Sequence, residues 1–200
     1  ASELVAAVDA ALAGVDPDYH DPFYEDVDDG VQAVEEVVDE LERHLDDGAH
    51  PVVRRVLEHL LTRLGDLARE ADNADALLEV AERASTLLGR AVAGHPEPVS
   101  LARWVVGFRV EYGGWPSLPL DALAYAFDEP AWDAYRASVA TLGGGGPEAD
   151  PYCSETDRML LELADHDGDI KRAVALLSRG DRPYYREIIG RLRDAGRPAD

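Results

Sequence analysis

Two groups of residues in this 200-residue chain have the types and density that chemistry would need. The first is the acidic stretch holding Asp16, Asp18, His20, Asp21, Glu25, Asp26, Asp28 and Asp29. Its carboxylate oxygens could coordinate a hard divalent cation. Their spacing fits no ordered ligand loop, so a solvated connector is the expected reading and no metal ligand is assigned. The second group runs from residue 103 to residue 136: Arg103, Trp104, Arg109, Tyr112, Trp115, Trp132, Tyr135 and Arg136. Tryptophan, tyrosine and arginine are the types that dominate binding hot spots. Helical spacing predicts that most of these aromatics are core, and what remains at the surface is the expected partner-binding face.

Other candidates are weaker. Asp165-His166-Asp167-Gly168-Asp169 has the look of a calcium loop. Aligning Gly168 with the invariant glycine, however, puts Leu163 and Val174 where the first and last carboxylates belong. A glycine that closes one helix and an aspartate that caps the next account for the same residues. The histidines form no His-Glu-x-x-His pair, and no Gly-x-Ser-x-Gly nucleophile turn is present. Gly143 to Gly146 lack the Lys-Ser or Lys-Thr of a phosphate-binding loop. Cys153 is the only cysteine, which excludes an internal disulfide and a multi-cysteine zinc site. The expectation is a non-enzyme without a cofactor.

The elements that must carry these residues are helices. Val27, Val31, Val34, Val38, Leu41 and Leu45 recur by four and three, as do Leu57, Leu60, Leu64 and Leu67. Leu77, Ala81, Ala84, Leu88 and Ala91 form a third stripe, and Leu101, Val105, Phe108 and Tyr112 a fourth. Each stripe lies on one helical face. Helices are predicted near 2–13, 27–47, 51–71, 73–94, 98–112 and 120–127, then from Pro130, Ser154, Asp169 and Pro183, with Tyr185, Ile188 and Leu192 of the last facing inward. Gly65, Gly89 and Gly107 interrupt predicted helices at about 1 kcal/mol each, and close helix approach is the expected reason. The chain divides into an N-terminal helix with its acidic connector (1–26), a helical-hairpin core (27–142), a Gly/Pro-rich linker (143–153) and a C-terminal repeat-like segment (154–200). The fold class is all-α, an array of antiparallel helix hairpins of TPR-like or α-solenoid-like type. Residues Leu163-Asp165-Gly168-Asp169 and Leu192-Asp194-Gly196-Asp200 echo one another within the last segment.

Charge bounds the partners. Acidic residues number 41 and basic ones 19, for a net charge of −22. Such a charge opposes direct nucleic-acid binding and attachment to anionic membranes, and favours a protein or peptide partner of basic character. No apolar run reaches the ~20 residues of a membrane span. Leu4 to Leu12 is interrupted by Asp9 and lacks a basic leader, so it does not read as a signal peptide. A cytoplasmic location is expected. The opening on Ala1 suggests a piece of a longer protein.

Three stretches resemble a known group. They are Glu111-Tyr112-Gly113-Gly114-Trp115-Pro116 with Leu123-Ala124-Tyr125-Ala126 and Trp132-Asp133-Ala134-Tyr135-Arg136; Leu163 to Asp169 with Ala173 and Leu176-Leu177; and Tyr184-Tyr185-Arg186-Glu187-Ile188 with Ala195-Gly196-Arg197. Across residues 24 to 200 this pattern resembles the helical region downstream of the zinc finger in uncharacterised prokaryotic SWIM-zinc-finger proteins. The finger needs Cys-x-Cys and a later Cys-x-His, which this chain lacks, so no zinc ligand is carried over. The expected function is a non-enzymatic helical scaffold for protein interaction within a larger protein. The alternatives are an acidic nucleic-acid mimic that binds a basic protein and, last, a metal-assisted hydrolase using the acidic connector.

Overall fold

The computed structural model describes residues 2–15, 29–70, 75–92, 97–118, 120–143, 152, 154–179 and 183–196, with backbone alone at 29, 75 and 76. The acidic connector, Cys153 and most of the glycine-rich linker lie outside the described residues. Among those described, nine α-helices and two 3-10 turns form the secondary structure, without a strand. The helices are α1 (Ser2–Leu12), α2 (Asp29–Asp46), α3 (His50–Glu70), α4 (Asp75–Ala91), α5 (Pro98–Glu111), α6 (Glu129–Leu142), α7 (Glu155–His166), α8 (Ile170–Leu177) and α9 (Tyr185–Asp194). None is long and apolar enough to cross a membrane. Where a helix was predicted over 120–127, the chain instead makes 3-10 turns at Leu120–Ala122 and Ala124–Ala126.

Local chemistry sets several boundaries. The Asp128 carboxylate accepts from the Ala131 amide at 2.9 Å and opens α6, with Pro130 in its first turn. Ser154 opens α7 and Asp169 opens α8 in the same way. Gly168 and Gly196, the two glycines of the sequence echo, take positive φ values of 67° and 70° just past α7 and α9. A side chain there would be strained, and glycine is the usual residue for closing a helix.

The chain forms two compact units. The first contains residues 1–98 and 114–127. Here α3 packs against α1, α2 and α4, and Val53, Val56, Leu57, Leu60, Leu61 and Leu64 are fully buried. Ion pairs tie its outer helices together. Arg83 reaches Asp39 and Glu42 at 2.6 and 2.8 Å, and Arg90 reaches Glu42 and Asp46 at 2.6 Å each. Hydrogen bonds from Arg83 and Arg90 hold the Glu42 carboxyl below its usual pKa. His59 and Asp9 meet at 2.8 Å between α3 and α1.

Glycines in this protein sit in opposite surroundings. A Cβ on Gly30 would lie 2.4 Å from the Gly14 carbonyl oxygen and 2.7 Å from the Val15 Cα, because the end of α1 crosses the start of α2 there. At Gly89 it would meet the Ala122 oxygen at 3.3 Å, the close approach expected from the sequence. At Gly107 no described atom lies within 4 Å, so close packing does not explain that residue. Gly30→Ala is therefore expected to destabilise by about 1–3 kcal/mol through overlap with backbone, and Gly107→Ala to stabilise by up to about 1 kcal/mol through helix propensity. Urea midpoints that shift in the same direction for both would contradict this contrast.

The second unit contains residues 99–113 and 128–200. In it α7 packs against α6 and α8, and α8 against α9. Leu161, Ala164, Ala173, Leu176 and Leu177 form a core on which Tyr152, Leu160, Tyr184 and Ile188 close. The fully buried Asp157 accepts from Arg179 at 2.9 Å. One inward assignment is corrected: Tyr185 is 67% exposed, and it is Tyr184 that turns in and meets the Tyr152 ring at 4.7 Å. Helix α9 begins two residues after Pro183, and its inward face is set by Tyr184 and Ile188.

Candidate functional site

Arg109 lies on the buried face of α5, one turn after Val105, and is 3% exposed. Glu155 and Glu162 stand two turns apart on α7, so both carboxylates project to one side. The Arg109 Nε donates to Glu155 Oε1 at 2.5 Å, and its two terminal nitrogens donate to Glu162 at 2.6 and 3.0 Å. A longer bond of 3.4 Å reaches the Tyr135 hydroxyl on α6. Burial pulls the guanidinium pKa down, but the bonds and charge of Glu162, with Glu155 adding to them, outweigh it and leave Arg109 above its ordinary value. Burial raises the Tyr135 phenol, and Arg109 only partly opposes that. Neither group exchanges a proton near neutral pH. The cluster therefore suits fixing α5, α6 and α7 together rather than acid–base catalysis.

A second cluster joins α6 to the end of α7. The Trp132 ring stacks on His166 at 3.6 Å between centroids, with 16° between planes. Arg136 lies 5.9 Å from the Trp132 ring centre and donates to Asp167 at 2.8 Å. That hydrogen bond holds the Asp167 carboxyl below its usual pKa. The residues of the calcium-loop look-alike are thereby accounted for. Asp167 pairs with Arg136, Asp165 with Arg191 at 2.7 Å, and Asp169 caps α8 through the Arg172 amide at 3.1 Å. No group of three or more potential metal ligands occurs among the described residues.

The residues singled out between 103 and 136 thus separate. Arg109, Trp132 and Tyr135 are buried within the second unit. Their arginine and aromatic character serves packing and ion pairing there, so they present no free surface to a partner. Arg136 is half-buried and engaged with Asp167. Along α5, Trp104, Phe108 and Tyr112 form a ladder with ring centroids 5.1 and 4.8 Å apart, its two ends half-buried, and Arg103 beside it is exposed. Trp115 is half-buried and belongs to the first unit.

The most exposed large apolar side chains that are neighbours on one helix lie elsewhere. On α9, Tyr185 and Ile189 are 67% and 62% exposed, one turn apart. At 100° per residue, Tyr185, Ile189, Arg193 and Arg186 fall within about 100° of arc, on the side turned away from Tyr184 and Ile188. The sequence did carry a signal for this face. Arginine is interleaved with tyrosine and isoleucine from residue 182 to 193, and such interleaving is uncommon in so acidic a chain.

No protein-family model, curated protein or solved structure matches the chain.

Proposed function

We propose that this protein is a non-enzymatic helical scaffold, built as stacked helix hairpins of TPR-like or solenoid-like type, that binds a protein or peptide partner in the cytoplasm. The observation that carries the reading is the face of α9. A short helix docked by Tyr184 and Ile188 leaves a tyrosine and an isoleucine in water beside two arginines. Contiguous exposed apolar surface rimmed by polar groups marks interaction sites, and Tyr185 and Ile189, one turn apart, are the contiguous pair on α9. Support for stacking comes from the order of contacts, α6 with α7, α7 with α8 and α8 with α9. In repeat architectures each element touches its sequence neighbours in this way. The resemblance to the helical region of SWIM-zinc-finger proteins fits the same role, in which the helices recruit a partner for a longer protein. Arg103, exposed beside the half-buried Trp104 and Tyr112, offers a second, smaller edge on α5.

The test is affinity capture from a cell lysate with the immobilised chain, compared with a Tyr185→Asp/Ile189→Asp variant. At least one retained protein is expected to be lost with the variant. Both positions are exposed, so folding is expected to be unchanged, which circular dichroism checks. Identical capture profiles would remove α9 as the interaction face.

A further inference from the structure

The charge of the chain is not evenly spread. Residues 170–197 hold eight of its 19 basic residues and only three of its 41 acidic ones. Within this basic end some cations are already spent. Arg191 is bonded to Asp165, and Arg179 to Asp157. Among the described residues Arg193 pairs only with its neighbour Asp194, at 3.4 Å, with both side chains about three-quarters exposed. Arg186 has no carboxylate within ion-pair distance among the described residues. Arg186 and Arg193, which among the described residues lack a strong partner, as Lys171 and Arg172 of α8 also do, share an arc with Tyr185 and Ile189.

We infer that this face of α9 docks an acidic amphipathic helix of a partner protein. The inference rests on α9 being an interaction face and adds the chemistry of what covers it. An apolar pair one turn apart matches the i, i+4 anchors of helix-on-helix recognition. Arg186 and Arg193 along one edge then call for carboxylates flanking the partner's apolar stripe, because desolvating a guanidinium without a counter-charge is costly. A basic partner, which the overall charge favours, would meet like charge here. A nucleic acid would satisfy the arginines, and the −22 chain repels it as it repels any acidic partner, but phosphates make no use of Tyr185 and Ile189, which an amphipathic helix covers.

Fluorescence anisotropy with three labelled probes at physiological salt tests this. The first is a synthetic helix of about 20 residues with leucines along one face and glutamates on both flanks. The second replaces every glutamate with lysine, and the third is an oligothymidylate of about 20 nucleotides. The glutamate helix is expected to bind, and to weaken by about tenfold or more with Arg186→Glu/Arg193→Glu and likewise with Ile189→Asp. The lysine helix is expected to bind the Arg186→Glu/Arg193→Glu variant better than the native protein. If the lysine helix binds the native protein as tightly and Ile189→Asp abolishes it, the interaction face stands but the acidic occupant is overturned. Oligothymidylate binding that depends on the two arginines overturns it in favour of nucleic acid. Self-association in sedimentation that Ile189→Asp removes overturns it in favour of a second copy. No binding of any probe, without self-association, overturns the inference and the α9 face together.

Discussion

Arg109→Met is expected to destabilise the second unit by about 3–5 kcal/mol, the range for breaking a buried ion pair from one side. The native guanidinium offsets two carboxylates, with Glu155 about nine-tenths buried and Glu162 about two-thirds buried. Methionine fills much of the volume but leaves both acids facing each other without a cation. Urea unfolding in a Trp115→Phe background isolates the effect, since Trp104 and Trp132 then report from the second unit alone. Arg109→Lys should recover part of the loss, because an ammonium keeps the charge but cannot make the paired bonds to Glu162. The triple variant Arg109→Met/Glu155→Gln/Glu162→Gln should recover more, since it removes the uncompensated charges. A loss below about 1 kcal/mol for Arg109→Met would mean that water reaches the cluster.

Leu60→Ala is expected to cost about 2–5 kcal/mol in the first unit, the range for truncating a fully buried leucine. Leu60 has no exposed surface, and its neighbours Leu57, Leu61 and Leu64 are equally enclosed. Leu67, on the same sequence stripe but half-buried near the end of α3, should cost about 1 kcal/mol or less, since much of its surface stays in water when the helix folds. Denaturant midpoints in a Trp104→Phe/Trp132→Phe background, where Trp115 alone reports from the first unit, would show the difference. Equal losses at the two positions would contradict the central placement of α3.

Much of the helical frame was readable in advance because its signals are local. The predicted helix over 27–47 is observed at 29–46, and that over 98–112 at 98–111. Caps at Ser154 and Asp169 depend on a side chain and an amide three residues apart, so they too are written in short range. The width of each buried face was not readable. The stripe through Leu57, Leu60, Leu64 and Leu67 describes one row, whereas α3 also buries Val53, Val56 and Leu61 because α1, α2 and α4 all contact it. The 120–127 segment kept its place but not its helix type.

The site divides along the same line. Residue types alone marked Arg109, Trp132, Tyr135 and Arg136 as notable, and they are notable, but for packing. Their partners Glu155, Glu162, His166 and Asp167 lie 31 to 53 positions away, and no periodicity links them. Periodicity, capping and composition settled the helical class and the acidic character, since both follow from neighbours in the chain and from simple counting. Which arginines are enclosed by carboxylates and which face water depends on how α5, α6 and α7 come together, and on which side of α9 meets α8. That choice turned Arg109 inward. It left Arg186 and Arg193 outside, beside Tyr185 and Ile189.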